Sequence, residues 1–356
     1  MSAPIPIEVA DITSGWLEGV LQAWAPGARL RAIDVIEAHS GTTGRVRVLL
    51  THDDPRLPDS AFVKLAPFDT EQRAFVDQHG MGVAAARFYA EIAPDVPVRH
   101  PQSLYAAHDD ASRYVMVLED LHTVGARYPE HLDGVDLTTF VERTVEAFAA
   151  LHAEFWASPR FSPDGDLAWV RGTSGAQSYG SAAALVRFAV EQLGERLPAS
   201  SHQLAKVYVP LAERVPELLA EGTRTLIHGD AHPRNMFLVG TEPGFLDWAM
   251  AGFAPGIRDV AYFLGNSVPT DLRRAQERRL IARYCTGLGE RGVTLGIEEA
   301  WDQYKVHLVS AWIAAVVTAG MGSRWQPIEI GMAATMRADA AIADHAVADL
   351  LSTRLP

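Results

Sequence analysis

Between Thr225 and Trp248 the chain reads as three short apolar runs separated by one polar loop and one turn, and this order restricts the fold more than any other feature. Thr225-Leu226-Ile227 has the character of a buried strand entering the loop, and Met236-Phe237-Leu238-Val239 that of a strand leaving it. Thr241-Glu242-Pro243-Gly244 is turn chemistry, and Phe245-Leu246 is a further apolar pair before Asp247 and Trp248. The loop is His228-Gly229-Asp230-Ala231-His232-Pro233-Arg234-Asn235, in which Pro233 removes a backbone donor and restricts its own φ. Asp230 and Asn235 lie five positions apart, and Asp247 follows the return strand. Phosphoryl transfer needs such a set: one carboxylate to address an acceptor hydroxyl, and an amide and a second carboxylate to hold magnesium.

These residues resemble the motif of the aminoglycoside phosphotransferase and choline kinase superfamily, His-Gly-Asp-x-His-x-x-Asn with a later Asp-Trp. Supporting segments occur in the family's order: Arg87-Phe88-Tyr89-Ala90-Glu91, Val117-Leu118-Glu119-Asp120-Leu121, Leu151 to Trp156, and Arg258-Asp259-Val260-Ala261-Tyr262-Phe263. Within the superfamily the chain looks most like bacterial members of the choline-kinase-like, ecdysteroid-kinase-like branch. The resemblance implies an α+β, two-lobed protein-kinase-like fold with a small antiparallel-sheet N-lobe and a mainly helical C-lobe.

The local patterns are compatible with that fold. Ile12 to Leu21 reads as an opening helix with Asp11 or Thr13 as its cap. Arg31–Ala38, Arg45–Thr51, Ala61–Ala66, Ser103–Ala107 and Tyr114–Leu118 read as five strands. Leu137, Phe140, Val141, Val145, Phe148, Leu151 and Phe155 recur at helical spacing. The expected division is an N-lobe over residues 1–120 and a C-lobe over 121–356, with a Gly-, Ser- and Pro-rich loop from Ser158 to Gly180.

Composition excludes several classes. A formal net charge of −13 over 356 residues leaves no basic excess for nucleic-acid phosphates. Cys285 is the single cysteine, so neither an internal disulfide nor a cysteine-based zinc cluster can form. With that single cysteine a reducing cytoplasm is the expected location, and the N-terminus lacks the basic start and apolar core of a signal peptide. The most apolar stretch, Val306 to Met321, carries His307, Ser310 and Thr318 and falls short of the ~20 residues of a membrane span, so it reads as a buried helix.

By resemblance, ATP and Mg2+ are the expected cofactors and a small-molecule hydroxyl the expected acceptor. Lys64 would hold the α- and β-phosphates, although read alone it is an ordinary strand lysine. Ser40-Gly41-Thr42-Thr43-Gly44 would cover the phosphates with backbone N–H groups and threonine hydroxyls, or else is a plain hairpin turn. Glu119 and Leu121 flank the hinge whose backbone would bond the adenine edge, with the Glu119 and Asp120 side chains left to solvent. Asn235 and Asp247 would hold the metal, and Asp230 would orient the acceptor hydroxyl and take its proton late, because a carboxylate of ordinary pKa ~3.9 cannot deprotonate an alcohol beforehand. Asp259 would brace the loop, His152 would be a bonded core histidine, and Trp301, Tyr304, Trp312, Trp325, Asp339 and Asp344 are candidates for the acceptor pocket or for core.

One departure from the family's pattern stands out. The helix glutamate that commonly pairs with the strand lysine is replaced by Ala85. Either Glu71 or Glu91 substitutes, or Lys64 has no fixed carboxylate partner, or catalysis is impaired. Six residues on from Ala85, Glu91 is turned about 120° from its face on a regular helix, so no bridge from Lys64 to a glutamate is expected without nucleotide. Three other readings are available: a catalytically silent nucleotide-binding relative, a protein kinase, and a zinc hydrolase using His228, Asp230, His232 and Asp247. The chain has no His-Arg-Asp, Asp-Phe-Gly or Ala-Pro-Glu, and the zinc reading leaves Lys64 and Asn235 without roles.

Overall fold

The five strands expected in the first third form one antiparallel sheet in the order β1-β2-β3-β5-β4, with β1 Leu30–Ser40, β2 Gly44–His52, β3 Ser60–Leu65, β4 Ser103–His108 and β5 Tyr114–Glu119. The computed structural model describes residues 4–172, 176–322 and 327–356. Alternation along β2 buries Val46, Val48 and Leu50 against Ala61, Val63 and Leu65 of β3 and Val115 and Val117 of β5. The opening helix, Ser14–Leu21, covers this core with Trp16, Leu17, Val20 and Leu21, and the Thr13 side chain caps it by accepting from the Trp16 N–H.

Two compact units divide the chain, one of residues 1–128 with 237–250 and one of 129–236 with 251–356. The N-terminal unit therefore takes in residues 121–128 and the stretch 237–250, which the expected split at residue 120 assigned to the C-lobe. The reason lies in main-chain pairing. The two-stranded ribbon of β8 Met236–Val239 and β9 Glu242–Phe245 is bridged to Arg127 through Leu238 and to Arg99 through Gly244. A turn expected over Thr241–Gly244 is displaced: Glu242–Phe245 is strand, and the chain reverses at Gly240, whose φ of 62° suits glycine.

In the N-terminal unit a helix, Met81–Arg87, continues as a π-helix over Phe88–Ile92. Gly82 lets this helix lie on the sheet, because a Cβ there would come within 1.8 Å of the Tyr114 ring. Gly82→Ala is expected to cost about 1–3 kcal/mol of stability through overpacking, read as a lower denaturation midpoint with an unchanged m-value. A midpoint equal to that of the wild type would contradict this packing.

The second unit is helical. Its longest helices are Gly134–Glu154, Thr270–Gly289 and Ile297–Gly320, and the last buries Val306, Leu308, Val309, Ala311, Trp312, Ala315 and Val316 as the apolar stretch foretold. Among the described residues no helix is long and apolar enough to cross a membrane. A small sheet, β6 Arg171–Gly172, β10 Gly252–Pro255 and β7 Arg224–Ile227, leads into the polar loop. A helix begins at Ala176, so the expected loop from Ser158 to Gly180 is shorter at its C-terminal end.

Candidate active site

The polar loop leaves β7 at Ile227 and is held from beneath by Asp259, near the start of the helix Ile257–Asn266. Asp259 is completely buried. Its Oδ2 accepts from the His228 N–H at 2.6 Å, and its Oδ1 accepts from the Gly229 N–H at 2.9 Å. The His152 ring stands 3.4 Å from Oδ2 and pairs through Nδ1 with the Tyr284 hydroxyl at 2.9 Å. Burial alone would raise the Asp259 carboxyl, but the His152 ring and the loop's backbone donors outweigh it and hold the group below the usual carboxylate range. Gly229 has φ 82°, which allows the chain to turn so that both donors reach one carboxylate. The brace expected of Asp259 and the bonded core role expected of His152 are both present.

The two histidines of the loop shape it. His228 Nδ1 accepts from the Asp230 N–H at 3.2 Å, and His232 Nδ1 accepts from the Arg234 N–H at 3.2 Å, capping the single helical turn Pro233–Asn235. Among the described residues no group of three or more His, Cys, Asp or Glu side chains is placed to hold a metal ion. Asp230 and Asn235 are brought together: the Asn235 amide nitrogen donates to the Asp230 carbonyl and to Oδ2, each at 3.0 Å. With its nitrogen so used, the Asn235 amide turns its oxygen the other way. The remaining Asp230 oxygen, Oδ1, accepts from the Tyr262 hydroxyl at 2.5 Å.

Within the N-terminal unit the structure brings together Lys64 and Asp247. Lys64 projects from β3 with its side chain buried, and its Nζ lies 3.4 Å from Asp247 Oδ1. Asp247 follows β9 with φ 57°, a left-handed conformation that Asp tolerates better than most residues. Trp248 fixes the next position: it is fully buried and stacks on Phe88, with ring centroids 4.1 Å apart and planes 7° apart. Such a pair adds about 0.5–1.5 kcal/mol beyond its area. Phe88 opens the π-helix that follows Ala85, so the helix that lacks the usual glutamate is tied to Asp247 through aromatic packing instead. Glu91 pairs with Arg87 at 2.8 and 2.9 Å, in keeping with its expected direction away from Lys64.

The other expected nucleotide-binding residues also lie in this unit. Ser40 and Gly44 face each other across a tight hairpin that Gly41 closes by donating to the Thr43 carbonyl at 3.1 Å. Ser40 Oγ accepts from the Phe68 N–H, and a Cβ on Gly44 would meet the Phe68 ring at 2.5 Å and the Ala66 carbonyl at 2.6 Å. Thr43 is buried, whereas Thr42 is exposed at the tip. The Gly41 donor is thus committed to the turn. Glu119 ends β5 with its N–H on the Gln102 carbonyl and its carboxylate on Arg99 at 2.6 and 2.7 Å.

Asp120 is not solvated as expected but buried. It accepts from Arg47 of β2 and Ser60 of β3, each at 2.6 Å, and Glu119 is likewise held by Arg99. Burial would raise the Asp120 carboxyl, yet Ser60, Arg47 and His122 hold it below its ordinary range. This clamp seats Leu121, itself buried, whose carbonyl accepts from the Ala126 N–H.

Three of the six suggested acceptor-pocket residues, Tyr304, Trp312 and Asp339, are buried in the core. Trp312 and Tyr304 are fully buried and donate to Ser201 and Glu277, Asp339 accepts from Ser200 and Ser201, and Asp344 binds Arg273 and Arg274. Trp301 stacks on Tyr304 under Arg278. Trp325 lies outside the described residues. Tyr262 was missed by sequence reasoning, and its signal is simple: it lies one helical turn after Asp259 and so on the same helix face.

A five-stranded antiparallel sheet unit, a helical unit and a loop carrying Asp230 and Asn235 define a kinase-like transferase fold. The chain belongs to the phosphotransferase enzyme family, whose family model matches residues 34–302, and thereby to the superfamily of aminoglycoside phosphotransferases and choline kinases. No curated protein matches it in sequence. Solved structures share the fold at low identity. A Ralstonia eutropha protein assigned as an aminoglycoside phosphotransferase is 13% identical, with TM-score 0.53, covering 94% of this chain and 97% of its own. The GDP complex of aminoglycoside 2'-phosphotransferase-IIIa is 14% identical, with TM-score 0.52, covering 92% and 98%. The choline kinase LicA of Streptococcus pneumoniae is 13% identical, with TM-score 0.50, covering 92% and 98%.

Proposed function

We propose that the protein transfers the γ-phosphoryl group of ATP, with magnesium, to a hydroxyl of a small molecule such as an antibiotic, an amino alcohol or a sterol-like alcohol. The loop chemistry carries this reading. Asp230 is about one-third exposed, and its carboxylate is oriented by Asn235 and Tyr262 rather than neutralised by a cation. Such a group can accept a hydrogen bond from an incoming hydroxyl and take its proton as the new P–O bond forms.

The donor chemistry fits magnesium, which prefers oxygen ligands. The Asn235 amide oxygen and the Asp247 carboxylate, which is one-third exposed, are the proposed ligands. When bound, the metal would neutralise charge on the phosphate oxygens. Lys64, now paired with Asp247, would exchange that partner for the nucleotide phosphates. A nucleotide is the proposed partner of the glycine turn Ser40 to Gly44 and of the Glu119–Leu121 hinge. No nucleic-acid or membrane partner is proposed, and the proposed location is the cytoplasm, whose reducing environment suits a chain with a single cysteine.

Turnover of Mg·ATP and Mg·GTP against a panel of small alcohols, amino alcohols and aminoglycosides tests the reading. Asp230→Asn keeps the shape of the side chain and removes the proton acceptor. It is expected to lower kcat by about 10²-fold or more with nearly unchanged nucleotide KM. An equal loss of nucleotide affinity would make Asp230 a metal or nucleotide ligand. Nucleotide binding with no turnover against any acceptor would favour a silent relative.

A further inference from the structure

We propose that Tyr262 is a positioning residue for Asp230: its hydroxyl anchors Oδ1, so that Oδ2 is the oxygen presented to the acceptor hydroxyl. This rests on the reading of Asp230 as the acceptor-facing carboxylate. The hydroxyl donates to Oδ1 at 2.5 Å, within the short range of hydrogen bonds to ionised acceptors. Burial, and then the negative charge of Asp230, push the Tyr262 hydroxyl well above its ordinary pKa, so it keeps its proton and acts as a permanent donor.

The two oxygens of Asp230 are held differently. Oδ2 faces the Asn235 amide nitrogen at 3.0 Å and Nε2 of the one-third-exposed His232 ring at 3.6 Å. Oδ1 faces a buried phenol on a helix. Oδ2 keeps lone-pair capacity for an acceptor hydroxyl beside the Asn235 amide, while Oδ1 is taken by Tyr262. Without that anchor the carboxylate can rotate about its terminal torsion, which is soft, and settle on His232.

The helix supplies the rest of the geometry. Asp259 and Tyr262 lie three residues apart, on one face of Ile257–Asn266. Asp259 takes the backbone of His228 and Gly229, and Tyr262 takes the side chain that follows them. One helical turn thus sets both the course of the loop and the direction of its carboxylate.

The test uses the full chain with Tyr262→Phe, which removes one oxygen and keeps the ring. In a crystal structure with Mg2+ and a non-hydrolysable ATP analogue, the Asp230 carboxylate is expected to leave its wild-type position and hydrogen-bond His232 Nε2. A carboxylate that stays in place overturns the inference. In parallel, Mg·ATP turnover to water and to the best acceptor alcohol of the panel is expected to fall about 10- to 100-fold in kcat, with the KM for ATP within about twofold. A fall in nucleotide affinity equal to the fall in rate would make Tyr262 merely structural and overturn its positioning role. Asp230→Asn separates the two levels of argument. If it abolishes turnover while Tyr262→Phe turns over at the wild-type rate, the role of Tyr262 is wrong; if Asp230→Asn itself turns over normally, the reading of Asp230 is wrong.

Discussion

Asp247→Asn is expected to lower Mg·ATP turnover by about 10³-fold or more while leaving the thermal transition within a few degrees of the wild type. Asparagine keeps the size of the side chain and tolerates the left-handed backbone at φ 57°, so the variant removes a charge and little else. That charge has two assignments: the ion pair with Lys64 at 3.4 Å in the structure, and the proposed hold on magnesium. The loss of the ion pair is softened because the substituted amide still offers an oxygen to the buried Lys64 ammonium, and because the Asp247 end of the pair is one-third exposed. Losing the metal ligand removes charge neutralisation at the transferring phosphoryl group, on which this chemistry depends most. Turnover and a thermal melt on the same preparation check both halves. Near-native turnover in Asp247→Asn would remove the magnesium assignment.

Asp259→Ala is expected to cost about 3–5 kcal/mol of stability at neutral pH, because it leaves two buried backbone N–H groups and the His152 ring without their acceptor. The sign of the pH dependence follows from the depressed carboxyl. Its folded value lies below its ordinary value of about 3.9, so its stabilisation is fully present above that value and is lost as pH falls through the lower folded one. Wild type and variant should therefore differ most near neutrality and converge in acid. Denaturant unfolding of both proteins as a function of pH measures this, and equal stabilities at neutral pH would show that the brace carries no energy. Loss of activity should accompany loss of stability, since the same carboxylate sets the course of the loop that carries Asp230.

The separate elements were legible to different degrees. The five strands of the first sheet fall within one or two residues of their expected bounds, because alternation of apolar residues is a property of neighbouring positions. The spacing of Asp230 and Asn235 was legible for the same reason, as a single loop brings them together. The reversal after Val239 was placed too late, since Pro243 and Gly244 have turn composition but sit in a two-stranded ribbon where a missing donor is tolerated. Asp120 shows a different failure. Its composition and position suggested a solvated acid, but Arg47 and Ser60 arrive from two other strands to bury and pair it.

The same division runs through the site. Local pattern by itself determined the sheet, the long apolar helix, the loop with its carboxylate and amide, and the absence of the usual glutamate at Ala85. Tertiary structure alone decided that Lys64 meets Asp247, that Phe88 stacks on Trp248 and that Tyr262 holds Asp230. It also decided that Tyr304, Trp312 and Asp339 belong to the core rather than to a pocket. Periodicity and turn chemistry are written in residues a few positions apart, whereas these pairings join residues far apart in the chain, whose meeting depends on how whole elements pack.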